Sequence, residues 1–121
     1  MPNSSSIHSV IAFIGGGNMA RSLIGGLIAH GSDPTGIHVA EPVAELREAL
    51  HRDFGVHVHD SATAAVADAS VWVLATKPQV MREVCASLAT AAAKQRPLVV
   101  SIAAGITSAQ LARWFGTALP I

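Results

Sequence analysis

The chain has 121 residues, half of them hydrophobic and only 13% charged, so its length predicts one domain with a single core. Eight basic and eight acidic residues leave no net charge, which argues against nucleic acid or an anionic membrane surface as a partner. No apolar stretch approaches the roughly 20 residues of a membrane span. The single cysteine, Cys85, excludes an intrachain disulfide and favours a cytoplasmic location.

Strand and helix patterns alternate along the chain. A polar lead-in over residues 1–6 is expected to be disordered, and residues 7–121 are expected to form the folded domain. In chain order we predict a strand at 8–14, a helix at 19–30, a strand at 37–40, a helix at 43–54, a strand at 56–58, a helix at 62–67, a strand at 70–75, a helix at 78–88, a strand at 98–102, a last helix that is capped by Thr107 or Ser108 and runs to residue 114, and the opening of a sixth strand at 118–121. This alternation predicts an α/β fold, a Rossmann-type parallel sheet of about five to six strands with helices on both faces.

The first strand and helix are joined by a glycine-rich turn with the pattern Gly-x-Gly-x-x-Ala. Gly15 permits a tight turn, Gly17 has no Cβ to hold the backbone away from a pyrophosphate, and Ala20 is small where the helix packs on the strand. The helix that follows presents free N–H groups and the positive end of its dipole. The pattern therefore predicts the phosphate-binding turn of a dinucleotide-binding unit.

An acidic residue follows the second strand at the spacing that such units use. Glu41 lies about 20 residues beyond the turn, where a carboxylate accepts hydrogen bonds from the adenosine ribose hydroxyls. A carboxylate there would repel the 2′-phosphate of NADPH, so Glu41 favours NADH. Arg47, further along the next helix, is close enough in sequence to approach a phosphate, so both cofactors stay open.

Two further segments follow strands at the edge of the sheet where ligands of open α/β folds bind. After the fourth strand, Lys77 is placed to donate to a ribose hydroxyl or a phosphate, and the backbone of Ala75 and Thr76 is placed to line the nicotinamide side. A solvated lysine followed by a helix-starting proline, Pro78, explains the same residues. Small residues after the fifth strand suit either a ligand or a simple tight turn. These are Ala103 and Ala104.

Other reactive side chains favour structural roles. The six histidines are scattered apart from His57 and His59, which share one side of a short strand, and no recognised ligand spacing predicts a metal site. Cys85 lies among apolar helix positions and is predicted to be a core residue rather than a nucleophile. Arg21 is interpreted as a solvated arginine of the first helix, with a phosphate contact as the alternative.

Four segments resemble the pyrroline-5-carboxylate reductases: residues 13–20, 24–27, 74–79 and 101–106. The resemblance covers nearly the whole chain and implies hydride transfer from NADPH or NADH to the C=N carbon of 1-pyrroline-5-carboxylate, a small imine acid, giving L-proline. By analogy, the pyrophosphate is held by Gly15, Gly16, Gly17, Asn18, Met19 and Ala20. Ala75, Thr76, Lys77 and Pro78 border the nicotinamide ribose, and Ala103 and Ala104 approach the nicotinamide.

The resemblance also implies what this chain lacks. Such reductases continue into a helical domain that dimerises and supplies much of the imine acid's binding site, so we expect a cofactor-binding fragment with no catalytic residue of its own and no turnover alone. The complete enzyme is expected to be a homo-oligomer. Two alternatives remain open: the cofactor domain of a related β-hydroxy acid dehydrogenase, and a stand-alone nucleotide-sensing module.

Overall fold

A single five-stranded sheet forms the centre of the computed structural model, which describes residues 10–102, 105–116 and 120. The strands are β1 (Ile11–Ile14), β2 (Ile37–Ala40), β3 (His57–His59), β4 (Val71–Leu74) and β5 (Leu98–Ser101). All neighbours are parallel, in the order β3-β2-β1-β4-β5. The predicted Rossmann-type parallel sheet is confirmed.

Helices connect the strands and cover both faces of the sheet. They are α1 (Asn18–Ala29), α2 (Ala44–Phe54), α3 (Ala62–Val66), α4 (Pro78–Ser87), α5 (Ala89–Gln95) and α6 (Ser108–Phe115), with a short 3-10 turn at Pro34–Gly36 before β2. Thr107 caps α6 in a reciprocal capping box with Gln110, as the sequence predicts for one of its two candidate caps. No helix in the described part of the chain is long and apolar enough to cross a membrane.

Two apolar clusters fill the space between the sheet and its helices. One face of the sheet packs against α1 and α2, and its buried residues include Phe13, Ile24 and Leu50. The other face packs against α3 to α6, where Trp72 lies 6.1 Å from Phe115 between ring centroids. Parallel strands covered on both faces have no polar side, which accounts for the high apolar content of the sequence.

The structure adds two features to the predicted helices. The helix predicted at 78–88 is present as α4, and a further helix that was not predicted, α5, follows it directly. Within α1, the buried positions are Ala20 and Ile24, whereas Met19 and Leu23 are exposed. The apolar spacing of Met19 and Leu23 is helical, but it faces solvent because the strand-to-helix turn rotates α1 so that Ala20 meets the sheet.

Some predictions fall outside the described residues. These are the disordered lead-in at 1–6, Ala103 and Ala104, and most of the sixth strand predicted at 118–121. Pro120 is described, and its carbonyl accepts a hydrogen bond of 2.8 Å from the N–H of Val99 in β5. The same chain, at Pro120, therefore pairs with β5 on the side away from β4.

Candidate dinucleotide-binding site

The carboxyl ends of β1 and β4 meet at the point where the strand order reverses. The chain runs from β1 outward to β2 and β3, then returns to the other side of β1 as β4. Ligands of open α/β sheets bind in the crevice at such a point. Two loops border it, residues 15–17 after β1, called here the glycine loop, and residues 75–77 after β4, called the β4 loop.

The glycine loop is held in place by backbone contacts. Gly15 has φ of +109°, and its N–H donates to the carbonyl of Ala40 over 2.9 Å. A Cβ at Gly15 would lie 2.8 Å from the carbonyl oxygen of Ala75, so neither the conformation nor the space admits a side chain. The tight turn predicted at this position is therefore present, and it brings the two loops into contact.

The tip of the glycine loop opens to solvent at the start of α1. Gly17 is the residue that precedes α1, and no side chain forms a cap hydrogen bond there. A Cβ built on Gly17 would meet no atom within 4 Å. Exposed N–H groups at an uncapped helix N-terminus, with the positive end of the helix dipole behind them, form an anion-binding surface.

Glu41 lies beneath the glycine loop rather than in open solvent. Its side chain is 6% exposed; Oε1 accepts a hydrogen bond from the N–H of Gly16 and Oε2 accepts one from the N–H of Val43, both at 2.9 Å. Gly16 is also crowded by α2, since a Cβ there would lie 2.8 Å from Cδ1 of Leu50. The carboxylate thus joins the end of β2 to the glycine loop, a connection that sequence spacing alone does not reveal.

The β4 loop is positioned by the sheet and presents its side chains. The N–H of Ala75 donates to the carbonyl of Ile14 over 2.8 Å, which continues the β1–β4 pairing. The hydroxyl of Thr76 donates to the sulfur of Met81 over 3.5 Å, while Lys77 is exposed directly before Pro78 begins α4. On the far side of β4, the N–H of Ile102 donates to the carbonyl of Leu74 over 3.1 Å.

This geometry agrees with the comparisons to known proteins. The family model described as "NADP oxidoreductase coenzyme F420-dependent" matches residues 10–105. The chain belongs to this family. The glycine loop, Glu41 and the β4 loop all lie within the matched range.

Curated proteins similar in sequence to this chain include pyrroline-5-carboxylate reductases. The chain is 50% identical to the reductase of Pseudomonas aeruginosa over 92% of its own length and 40% of that protein, and 42% identical to that of Escherichia coli over 88% and 39%. Among solved structures, the Coxiella burnetii pyrroline-5-carboxylate reductase superposes with a TM-score of 0.89 at 38% identity, over 93% of this chain and 42% of that one. The predicted resemblance is confirmed, and the chain spans about two fifths of the length of these relatives.

The arginines near the site of this family member are directed elsewhere. Arg21 on α1 pairs with Asp53 and lies 4.9 Å above the ring of Phe54, so it ties α1 to α2. Hydrogen bonds from Arg21, and secondly from Arg52, lower the pKa of Asp53. Arg47 donates through Nη1 to the carbonyl of Glu41 over 2.9 Å, beside the end of β2. Of the two, Arg47 is the one that contacts Glu41.

The remaining predicted positions divide by exposure. In the first turn of α1, Asn18 and Met19 are exposed, Met19 by 61%, while Ala20 is buried against the sheet.

Cys85 is buried in the α3–α6 core, and burial raises the pKa of its thiol to about 11. A buried, protonated thiol is a core residue, as predicted. Among the residues that the structure describes, no group of three or more His, Cys, Asp or Glu side chains is arranged to hold a metal ion.

Proposed function

We propose that this chain binds NADH or NADPH at the carboxyl edge of its sheet and acts as the cofactor domain of a 1-pyrroline-5-carboxylate reductase. The observation that carries the proposal is the uncapped N-terminus of α1, reached through a glycine loop whose tip is open at Gly17. An anion of the size of a pyrophosphate fits such a surface without displacing a side chain.

Each predicted binding residue has a role in this proposal. Gly15 and Gly16 shape the loop, while Gly17, Asn18 and Met19 lie at its exposed tip and Ala20 seats α1 on the sheet. In this proposal Ala75, Thr76, Lys77 and Pro78 would border the nicotinamide ribose, and Ala103 and Ala104, outside the described residues, would approach the ring. When bound, the nicotinamide supplies the hydride; the protein's part is to hold and orient it.

We assign binding of the imine acid to a further domain of the longer protein. Because the chain covers about 40% of the Pseudomonas aeruginosa reductase, a further helical domain is proposed to bind the imine acid and to form a homo-oligomer. Residues 7–121 would then be the dinucleotide-binding domain. We place the enzyme in the cytoplasm, where a lone thiol such as Cys85 stays reduced.

NADH is proposed as the preferred cofactor because of Glu41. Its carboxylate is fixed by the amides of Gly16 and Val43 at the end of β2, where the adenosine ribose of a cofactor would lie. A 2′-phosphate carries about two negative charges near neutral pH, so its approach to a fixed carboxylate is repelled. Arg47 offsets part of that repulsion but is already hydrogen-bonded to the backbone.

Calorimetric titration with NADH and with NADPH tests the proposal. We expect NADH to bind, and to bind more tightly than NADPH by about tenfold, equivalent to about 1.4 kcal/mol. Failure of both cofactors to bind at millimolar concentration would contradict the site. The substrate is tested with the longer protein that contains this domain: its reduction of 1-pyrroline-5-carboxylate should be visible as a loss of NADH absorbance.

The preference is tested separately with Glu41→Ser and Glu41→Arg. Both variants lose the bond to Gly16, so both are expected to bind each cofactor more weakly, and the ratio of the two affinities is the informative quantity. That ratio should shift toward NADPH, further in Glu41→Arg than in Glu41→Ser. An unchanged ratio would remove Glu41 as the determinant. Glu48→Gln, on an exposed position of α2, serves as the control.

A further inference from the structure

Three histidine side chains gather on one face of the sheet at its β3 edge. His38 Nδ1 lies 2.9 Å from His59 Nε2, within hydrogen-bond distance. The ring of His38 is stacked on both neighbours, with centroids 4.7 Å from His57 and 5.1 Å from His59. We call these three residues the histidine cluster.

Parallel pairing explains why the rings meet. His38 pairs with His57 and Ala40 pairs with His59, and paired residues on neighbouring strands point to the same face. That face is the one covered by α3. The cluster was not foreseen as a unit, because the sequence places His38 and His59 on different strands, 21 positions apart.

The surroundings of the cluster supply little to stabilise positive charge. On β1 the residue paired with His38 is Ala12, and α3 carries no titratable side chain. The acidic groups that act on the cluster are Asp68 after α3, which acts on His38, and Asp60 after β3, which acts on His59. The other titratable groups nearby are tied elsewhere: His51 of α2 bonds to the carbonyl of Val56, Asp33 before the 3-10 turn bonds to Thr35, and Glu41 bonds to Gly16 and Val43.

Protonation conflicts with the geometry of the cluster. The contact between His38 and His59 needs one ring nitrogen to donate and the other to accept, so at least one ring must be neutral. If both rings are protonated, two donors face each other and two positive charges lie about 5 Å apart beside a third histidine. Burial first, and then His57 and His59, lower the pKa of His38, whereas burial first, and then His57, lower the pKa of His59.

The direction of the pH effect follows from these shifts. Since each folded-state pKa lies below the ordinary value of 6.5, the folded protein binds fewer protons than the unfolded chain near that pH. The stability contributed by the neutral cluster is therefore fully present above about pH 6.5 and is lost as the pH falls below it. Protons thus act against the β2–β3 pairing.

A short path of hydrogen bonds joins the cluster to the glycine loop. The carbonyl of His59 accepts a bond of 2.9 Å from the N–H of Glu41, and the Glu41 carboxylate accepts the N–H of Gly16. Residue 59 is the last of a three-residue edge strand with one strand neighbour, so its position depends on the pairing with β2. Movement of β3 would change the support of Glu41.

We propose that the histidine cluster is a proton-responsive element that keeps Glu41 and the glycine loop in their binding geometry when neutral and releases them when protonated. The coupling to cofactor binding rests on the proposed function. The cluster does not change which ligand binds. Its protonation weakens dinucleotide binding at acidic pH.

The test compares the protein with a double variant, His38→Asn with His59→Gln, at about pH 8 and about pH 5.5, on either side of the ordinary histidine pKa. The amide groups of Asn and Gln preserve a neutral donor and acceptor but do not titrate. His30→Gln is the matched control because His30 is exposed and lies outside the cluster. NADH is the probe, since it lacks the 2′-phosphate whose own charge changes near pH 6, and EDTA in every buffer removes adventitious metal.

Three measurements give distinguishable outcomes. In NMR titrations of the parent protein, His38 and His59 should titrate below the ordinary value; titration of either at or above it would overturn the proposal even if the double variant failed to fold. The unfolding equilibrium constant should rise with acid at least tenfold more in the parent and in His30→Gln than in the double variant. An equal increase of the unfolding equilibrium constant with acid in the parent and in the double variant would overturn the proposed response to protons.

The NADH dissociation constant should likewise increase with acid at least fivefold more in the parent than in the double variant. NADH binding with the same acid dependence in both proteins would overturn the coupling to Glu41 while leaving the proposed function intact. Absence of NADH binding at about pH 8 would instead contradict the proposed function, and the coupling with it.

Discussion

The two loops that border the candidate site are built in different ways. The glycine loop is fixed by what packs against its backbone: the carbonyl of Ala75 lies 2.8 Å from where a Cβ of Gly15 would be, and the carboxylate of Glu41 holds Gly16. The β4 loop is held at its start by the sheet, and beyond Ala75 it presents an exposed side chain, Lys77. Substitutions at Gly15 and Gly16, where the first loop is packed, should therefore change stability and binding together, whereas substitutions in the second loop should change binding alone.

The largest effect is expected for Gly15→Ala, at the base of the glycine loop. The added methyl group meets the Ala75 carbonyl, and alanine at φ of +109° is strained, so the free energy of unfolding should fall by about 3 kcal/mol or more. Urea unfolding measures the loss. Gly26→Ala is the control, because that position of α1 is open and alanine there should raise stability by about 0.5–1 kcal/mol. Equal stability of parent and Gly15→Ala would contradict the packing argument.

Glu41→Gln should produce the next largest loss of stability. A glutamine side chain has one acceptor oxygen, so one of the two amides bonded by Glu41 would face a donor instead, at a cost of about 1–2 kcal/mol. The same urea measurement applies. Glu48→Gln, on an exposed position, should change stability by no more than about 0.5 kcal/mol. A loss as small as that of Glu48→Gln would mean that the buried carboxylate does not hold the glycine loop.

Gly17→Ala separates binding from folding within the glycine loop. The position has φ of −76° and open space around it, so the stability loss should be about 1 kcal/mol or less, from the poorer helix cap. A methyl group at the tip would hold a pyrophosphate away from the backbone, and NADH affinity measured by calorimetry should fall about tenfold. Undiminished affinity would place the pyrophosphate elsewhere.

The smallest effect is expected in the β4 loop, for Lys77→Met. Stability should stay within about 0.5 kcal/mol of the parent because the side chain is exposed. Loss of one charged donor should weaken NADH binding by about threefold to tenfold. Lys94→Met, an exposed lysine at the end of α5, should leave the affinity unchanged. Equal affinities of the two variants would assign Lys77 to solvent, the alternative that the sequence left open.

Local patterns in the sequence were sufficient for most of the fold. Each of the five described strands overlaps a short apolar or alternating run that predicts a strand. The end of α4 near residue 88 was predicted, but α5 was missed because it consists mainly of alanine and shows no apolar periodicity. The buried side of α1 was not predicted: Met19 and Leu23 have helical spacing, but only the turn before them decides which side of the helix meets the sheet.

The sequence by itself determined the Rossmann-type sheet, the glycine turn and the family resemblance, because these depend on residue types at fixed local spacing. The tertiary structure decided how the parts are joined. It placed Leu50 against Gly16, turned the Glu41 carboxylate onto the N–H of Gly16, and stacked His38 between residues of the neighbouring strand. These contacts join residues 19 to 34 positions apart, so they depend on strand order and register, which no local pattern specifies.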